Sequence, residues 1–133
     1  MLIPSTDHPT DDRLSGCYGT IWYERRGDAD DGSLLQRNVT IFADGEVDRS
    51  PCGSGTSARL AVLDHRGELD RGRVLLHESV VGSQFRGRVL GNGDAIASHP
   101  TVRTEVSGRA HRTGSNVFTY DPDDALGLGF QLR

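Results

Sequence analysis

The chain contains no lysine, because all fifteen of its basic residues are arginine. A pyridoxal-phosphate enzyme holds its cofactor through a lysine Schiff base, and a Walker-type phosphate loop also requires a lysine. A pyridoxal-dependent racemase and a P-loop nucleotide hydrolase are therefore both excluded for this chain acting alone.

Cysteine is scarce, with only Cys17 and Cys52 in the chain. Two cysteines fit a reducing compartment, and no spacing of His and Cys resembles a zinc site. The chain also lacks a run long enough to span a bilayer, and residues 1–4 lack the basic start and long apolar stretch of a signal peptide. We therefore expect no metal, no membrane partner and a cytoplasmic location.

A large excess of charge of one sign is missing as well. The 15 basic and 19 acidic residues give a net charge of −4, which offers no strong attraction to nucleic acid or to anionic membranes. A length of 133 residues fits one domain, and an apolar fraction of 35% fits a globular protein. Residues 1–16 are rich in Asp, Thr, Ser and Pro, which predicts a flexible lead.

Residues 48–63 read D-R-S-P-C-G-S-G-T-S-A-R-L-A-V-L and are the stretch that most suggests chemistry. Ser50 followed by Pro51 predicts a helix start, because the serine can cap the helix and the proline fills the first helical position. Cys52 is then expected in the first turn, where the unpaired N–H groups and the helix dipole favour a thiolate.

Two glycines, Gly53 and Gly55, follow the cysteine, although each costs a helix roughly 1 kcal/mol relative to alanine. We interpret them as allowing an anion such as a carboxylate to approach the N–H groups beside the sulfur, above all at Gly53. Beyond Thr56 the helix is apolar almost all round, which predicts a buried central helix that ends at Gly67. The alternative is a core helix whose cysteine is an unreactive buried side chain.

Apolar alternation and turn residues predict six strands around this helix. Gly82-Ser83 predicts a type II′ turn between two of them, and in the strand that follows this turn Phe85, Gly87 and Val89 are expected to face the core. The expected strands are residues 18–24, 37–43 (with Val39, Ile41 and Ala43 on one face), 73–81, 84–90, 102–106 and 116–120.

The other candidates for chemistry are weaker. Cys17 stands in a strand context without a helix start or flanking glycines, so we expect a buried structural cysteine. His77 and Glu78 are adjacent in a predicted strand, which points them to opposite faces and prevents them from acting as a pair. No G-x-S-x-G sequence supports a hydrolase triad. Cys52 is therefore the preferred reactive residue.

The segment D-R-S-P-C-G-S-G-T-S-A-R at residues 48–59 resembles the second catalytic-cysteine motif of the proline racemase family. This family includes proline racemases, 4-hydroxyproline epimerases and trans-3-hydroxyproline dehydratases. The resemblance extends from about Tyr18 to the C-terminus. It continues in H-E-S-V-V-G-S at residues 77–83, in Phe85, Gly87, Arg88 and Val89, and in Thr113-Gly114, Phe118, Asp121-Pro122 and Leu126-Gly127.

The resemblance implies an α+β fold, in which a strongly curved, mostly antiparallel sheet or barrel surrounds one central helix, as in a diaminopimelate epimerase-like lobe. The family has two similar lobes, and only the second is recognisable here. Residues 17–133 are therefore expected to form that second lobe, behind the lead of residues 1–16. The last segment, about residues 111–133, is expected to pair with a missing first lobe.

The resemblance also implies a chemistry without metal or other cofactor. Cys52 would be one of two thiols that exchange a proton with the substrate carbon, Asp48 would hold the ring nitrogen of proline or hydroxyproline, and the backbone at Gly53 and Ser54 would bind the carboxylate. The family motif usually has Thr where Ser54 stands. Cys52 favours a racemase or epimerase, because the dehydratases of the family usually carry Thr at that position. Activity is expected to require a first lobe or a homo-oligomer.

Other functions stay open at this point. The helix start could serve a noncatalytic module that binds a carboxylate or another anion, or the chain could be a relic fragment. A trans-3-hydroxyproline dehydratase-like lobe and an unrelated thiol enzyme, such as an acyl transferase, are further alternatives. The sequence does not choose between proline and 4-hydroxyproline as substrate.

Overall fold

The structure is a computed structural model that describes residues 7–129. It is built from a sheet and one longer helix, with a short 3-10 turn before them. The elements are the 3-10 turn at Asp12–Leu14, β1 at Gly19–Asp28, β2 at Leu34–Phe42, α1 at Gly53–His65, β3 at Leu75–Glu78, β4 at Gln84–Asn92 and β5 at Val102–Ser107.

The five strands form one sheet in the order β1-β2-β3-β4-β5, with β1 and β5 at its edges. Neighbouring strands are antiparallel, except that β2 and β3 run parallel. Parallel neighbours need a long crossover, and helix α1 supplies it between β2 and β3. The expected α+β class with a mostly antiparallel sheet and one helix is confirmed, and within residues 7–129 the sheet is open rather than closed into a barrel.

The core lies between α1 and one face of the sheet. Leu60 and Leu63 of the helix are fully buried, and with Thr56 they form a single inward stripe. They pack in one cluster with Leu34, Leu69, Leu75 and Val89, while Val102 and Val106 flank it. Each fully buried leucine contributes about 1.5–3 kcal/mol, so this cluster attaches the helix to the sheet.

The prediction that α1 is apolar and buried all round was wrong. Only one face is buried, and Val62, on another side of the helix, is 38% exposed. The helix lies on a single sheet and is therefore covered from one side in the described part of the chain. The end of the helix was predicted correctly: Gly67 has φ 65°, its N–H donates to Asp64, and the N–H of Glu68 donates to Leu63 at 2.9 Å.

The alternation of the strands determines which residues meet the helix. Gly87 and Val89 are buried and Phe85 is half-buried, as predicted for β4. In β2, however, the helix side carries the buried polar residues Gln36, Asn38 and Thr40, whereas Val39 and Ile41 lie on the opposite face. Leu34 must enter the core, and a period of two then brings every second residue of β2 to the same side.

The hairpin between β3 and β4 forms, but the predicted turn was wrong. The N–H of Gly82 donates to the carbonyl of Ser79 at 3.0 Å, so Val80 and Val81 are the central residues of the turn. Gly82 follows them with φ 84°. A three-residue loop that ends in a left-handed glycine replaces the expected two-residue type II′ turn at Gly82-Ser83.

The predicted strand at residues 116–120 is absent from the described part of the chain, in which residues 108–129 contain no strand. Val117 and Phe118 are 93% and 90% exposed, so no element of residues 7–129 packs against their side chains. The ends of two predicted segments, residues 1–6 of the lead and 130–133 of the last segment, lie outside the described residues.

Candidate active site at the start of helix α1

Cys52, and not Ser50, caps helix α1. The sulfur of Cys52 accepts a hydrogen bond from the N–H of Gly55 at 3.4 Å, and the helix begins at Gly53. Ser50 instead accepts from the N–H of Cys52 at 3.1 Å, and Asp48 accepts from the N–H of Ser50 at 2.8 Å. The predicted helix start was therefore two residues too early, because two local side-chain turns precede the helix.

The backbone of Cys52 is strained. Its φ of 64° and ψ of 119° lie in a region that residues other than glycine rarely adopt, and the conformation costs about 1–3 kcal/mol. This conformation places the sulfur opposite the N–H of Gly55 in the first turn of the helix. The start of a helix carries partial positive charge from its unpaired N–H groups, so the sulfur lies in a positive field.

The two glycines after the cysteine have different roles. A methyl group at Gly55 would overlap with Ile21 of β1 and would come within 3.1 Å of the sulfur of Cys52. At Gly53, by contrast, an added methyl group would meet no atom within 4 Å, and the residue is exposed. A side chain at Gly55 would therefore have to displace the end of Ile21 and press on Cys52, whereas Gly53 leaves open space in front of the helix start.

An open cleft of about 320 Å³ lies between the helix start and β1. Cys52 and Ser54 line it from the helix, and their sulfur and hydroxyl oxygen are 3.6 Å apart. Ile21 and Phe42 supply apolar walls. A concave, mostly apolar site with a few converging polar groups suits a small ligand that carries a charged end.

The four predicted site residues do not all line this cleft. Cys52 and Ser54 do, whereas Asp48 and Gly53 are not among its lining residues. Asp48 is half-buried, and its own N–H donates to the carbonyl of Thr40 at 3.0 Å. The structure therefore brings the sulfur together with the first turn of the helix. Asp48 lies in the segment before the helix, outside the cleft.

The prediction that Cys17 is buried was wrong. Cys17 is exposed, lines the same cleft as Cys52, and donates its thiol to the carbonyl of Gly19 at 3.3 Å. It precedes β1, an edge strand, so no second neighbouring strand covers it. Both thiols of the chain thus border one cleft.

A buried polar cluster behind the cleft was missed by the reasoning from sequence. Asn38 of β2, Thr56 of α1 and His77 of β3 are all between 0% and 3% exposed. Asn38 Nδ2 lies 2.8 Å from the carbonyl oxygen of Pro51 and 2.9 Å from His77 Nε2, while Thr56 Oγ1 lies 2.9 Å from His77 Nδ1. The signal that could have revealed this cluster was the polar alternation of β2, once Leu34 is placed in the core.

His77 and Glu78 lie on opposite faces, as predicted. His77 is fully buried beneath the helix, while Glu78 forms an ion pair with Arg37 at 3.3 Å. Burial, with a smaller contribution from the Arg59 guanidinium, lowers the pKa of His77 to about 4. His77 is therefore neutral at neutral pH and acts as a hydrogen-bonding group.

Two further features concern metals and membranes. Within residues 7–129, no group of three or more His, Cys, Asp and Glu side chains is arranged to hold a metal ion. In the same part of the chain, no helix combines the length and apolar character that crossing a membrane requires.

Comparison with known proteins gives a consistent result. The family model described as proline racemase matches residues 4–131. The chain is 43% identical over 125 residues to the trans-3-hydroxy-L-proline dehydratase of Bacillus cereus, covering 94% of this chain and 36% of the relative. It is 45% identical over 96 residues to the proline racemase of Acetoanaerobium sticklandii, covering 72% of this chain and 28% of the relative.

A solved structure shows the same fold. A hydroxyproline epimerase from Agrobacterium vitis, with bound trans-4-hydroxy-L-proline, superposes with a TM-score of 0.73 at 35% sequence identity. The match covers 95% of this chain and 35% of that chain. The chain thus spans about a third of the length of the relatives it resembles.

Proposed function

The chain belongs to the proline racemase family, and on this premise we propose that it is one lobe of a cofactor-independent racemase or epimerase acting on proline or hydroxyproline. The observation that carries the proposal is the placement of Cys52. Its sulfur caps α1, lies 3.4 Å from the N–H of Gly55 and borders a cleft large enough for a small imino acid. The hydroxyproline bound to the Agrobacterium vitis epimerase supports this class of ligand.

In the proposed reaction, Cys52 as a thiolate removes the proton from the carbon next to the substrate carboxylate. The negative charge that develops spreads into the carboxylate, and the N–H groups at Gly53 and Ser54 stabilise it there. Asp48 holds the positively charged ring nitrogen. A second thiol on the opposite side of the substrate donates a proton to the other face of the carbon, so Cys52 ends as a thiol and the second group as a thiolate.

A single thiol can approach only one face of the substrate carbon. If it removes and returns the proton on that face, it regenerates the same enantiomer. We therefore propose that residues 17–133 act with a first lobe that carries the opposing cysteine, and that residues 111–133 pair with this lobe. The exposed Val117 and Phe118 support such pairing.

The cellular setting belongs to the same proposal. We place the reaction in the cytoplasm, where both thiols stay reduced, and without pyridoxal phosphate, since the chain has no lysine for a Schiff base. A first lobe, or a second copy of this chain, is the protein partner.

The test is chiral chromatography of L-proline and trans-4-hydroxy-L-proline. The chain is assayed alone and mixed with the N-terminal lobe of a family member, with Cys52→Ser as the control. Inversion is expected only in the mixture and only with Cys52 intact. Inversion by the chain alone that disappears in Cys52→Ser contradicts the one-lobe proposal, and Cys17→Ser then shows whether the second thiol of the cleft supplies the opposing proton.

A dehydratase is the second candidate. The 43% identity to a protein named trans-3-hydroxy-L-proline dehydratase favours it. Such a lobe would remove the same proton, and an acid on the opposite side would protonate the neighbouring hydroxyl group, which leaves as water so that no proton returns to the carbon. The same mixture, supplied with trans-3-hydroxy-L-proline, would then consume the substrate without inverting trans-4-hydroxy-L-proline. Binding of either imino acid without turnover of any substrate would instead support a noncatalytic carboxylate-binding module.

A further inference from the structure

We propose that Asn38, Thr56 and His77 are positioning residues that hold the carbonyl of Pro51 and thereby keep the sulfur of Cys52 at the start of helix α1. The inference deepens the proposed function, since it rests on Cys52 as the reacting group. None of the three side chains lines the cleft, so each acts through the backbone and not on a ligand.

Asn38 and Thr56 both reach the carbonyl of Pro51, and His77 links these two side chains behind it. Asn38 Nδ2 lies 2.8 Å and Thr56 Oγ1 lies 3.3 Å from its oxygen. A carbonyl oxygen only accepts hydrogen bonds, so the atom that Asn38 directs at it must be the amide nitrogen, and the hydroxyl of Thr56 must donate its proton there. Pro51 itself is fully buried, so water does not replace these donors.

His77 completes the arrangement, and the remaining hydrogen bonds assign its tautomer. Asn38 Nδ2 lies 2.9 Å from His77 Nε2 and 3.3 Å from His77 Nδ1, and an amide nitrogen can only donate, so we assign its second proton to the nearer nitrogen, Nε2, as the acceptor. Because the hydroxyl proton of Thr56 is directed at Pro51, Thr56 Oγ1 must accept from His77 Nδ1 at 2.9 Å. The neutral ring therefore carries its proton on Nδ1, and the three side chains and the carbonyl form a closed cycle of four hydrogen bonds.

This cycle controls the conformation of Cys52 because the Pro51 carbonyl and the Cys52 N–H belong to one peptide group. The cycle holds the carbonyl end of the group, and Ser50 Oγ holds the N–H end at 3.1 Å. On the other side of the residue, the carbonyl of Cys52 accepts from the N–H of Thr56 at 2.9 Å. With both flanking groups held, φ stays at 64° and the sulfur stays 3.4 Å from the N–H of Gly55.

Stability alone does not account for the cluster. Asn38 Oδ1 is buried without a hydrogen-bond partner within the described structure, which is a cost that an apolar side chain would avoid. We therefore attribute the presence of Asn38 to the geometry that its hydrogen bonds impose on the carbonyl of Pro51, and not to a gain in stability. If the carbonyl of Pro51 is released, its peptide plane can rotate, φ of Cys52 can relax to negative values, and the sulfur moves away from the helix axis.

The test uses the reactivity of the Cys52 sulfur in the full chain, with Cys17→Ser as the background so that only one thiol reacts. Iodoacetate is an anion and iodoacetamide is neutral, so the ratio of their alkylation rates reports the positive field of the helix start at the sulfur. Thr56→Val removes the hydroxyl group and keeps the shape of the side chain. We expect it to lower this ratio about fivefold, the equivalent of one hydrogen bond, and we expect Thr56→Ser to restore the ratio.

Leu63→Val is the matched control, because Leu63 is buried on the same helix but lies at its far end. It should lower the urea midpoint of unfolding and leave the alkylation ratio unchanged. An unchanged ratio in Thr56→Val overturns the proposal, and so does an equal fall in Leu63→Val, which would make the effect one of general stability.

A second measurement requires no variant. Nitrogen-15 NMR of the wild-type chain at neutral pH distinguishes the two neutral tautomers of His77. A proton on Nδ1 supports the hydrogen-bond cycle, and a proton on Nε2 overturns it. Neither measurement involves turnover, so a chain that fails to invert proline together with a first lobe contradicts the proposed function and leaves this inference to be judged on its own results.

Discussion

The N–H of Gly55 points at the sulfur of Cys52 from 3.4 Å, so one atom both caps the helix and faces the cleft. A cap and a proton-transfer group make different demands on that atom. The cap needs only a hydrogen-bond acceptor, whereas proton transfer near neutral pH needs a thiol. Substitutions at Cys52 can therefore separate the two roles.

The first prediction follows from this double role. Cys52→Ser should retain the free energy of unfolding to within about 0.5 kcal/mol, since serine is a preferred cap, and Cys52→Ala should lose about 1 kcal/mol with the cap. Both variants should abolish inversion by the chain mixed with a first lobe. Urea unfolding and chiral chromatography measure the two effects. Equal stability of the serine and alanine variants would show that the sulfur does not act as a cap.

The second prediction concerns the two glycines. Gly55→Ala should lower the free energy of unfolding by about 1–3 kcal/mol, because the new methyl group would overlap with Ile21 and press on the sulfur of Cys52. Gly53→Ala is the matched control. Its methyl group meets open space, so the variant should gain up to about 1 kcal/mol from helix propensity. Thermal or urea unfolding measures the free energy of unfolding of both variants. An increase in Gly55→Ala would contradict the close packing described for this residue.

The third prediction concerns pH and His77. Its pKa falls from 6.5 to about 4 in the folded chain, so the unfolded chain takes up a proton between these values and the folded chain does not. The stabilising contribution of neutral His77 is thus complete above pH 6.5 and is lost as pH falls towards 4, by about 3 kcal/mol in total. His77→Gln cannot titrate, so its unfolding free energy should fall less between pH 7 and pH 4.5 in urea titrations. Parallel pH profiles of the two proteins would contradict the burial of a neutral imidazole.

The fourth prediction concerns the exposed segment near the end of the chain. Phe118→Ser should change the free energy of unfolding of the chain by less than about 0.5 kcal/mol, because Phe118 is 90% exposed and contributes little to the core. The same variant should weaken association with a first lobe, as measured by sedimentation or co-purification. Val62→Ser, which removes a 38% exposed apolar side chain on the outer side of α1, is the control and should leave association unchanged. Unaltered association of Phe118→Ser would argue against pairing through residues 111–133.

Much of the fold was predictable because it depends on local chemistry. The left-handed cap at Gly67, the hairpin after residue 79 and the inward face of Gly87 and Val89 all follow from glycine placement and a period of two. The motif around Cys52 identified the family. Predictions failed where one residue can adopt two local structures. Ser50, for example, can cap a helix or close a turn, and here it closes a turn.

The sequence by itself therefore determined the one longer helix, the five strands of the described sheet and the motif around Cys52. Only the tertiary structure decided that Cys17 and Cys52 border one cleft, and that Asn38, Thr56 and His77 meet behind it. The physical reason is that a shift of one residue in the register of a strand turns every side chain to the other face. Which face of β2 and β3 meets the helix depends on where Leu34 and Leu75 are buried, and that is set by packing among segments distant in the chain.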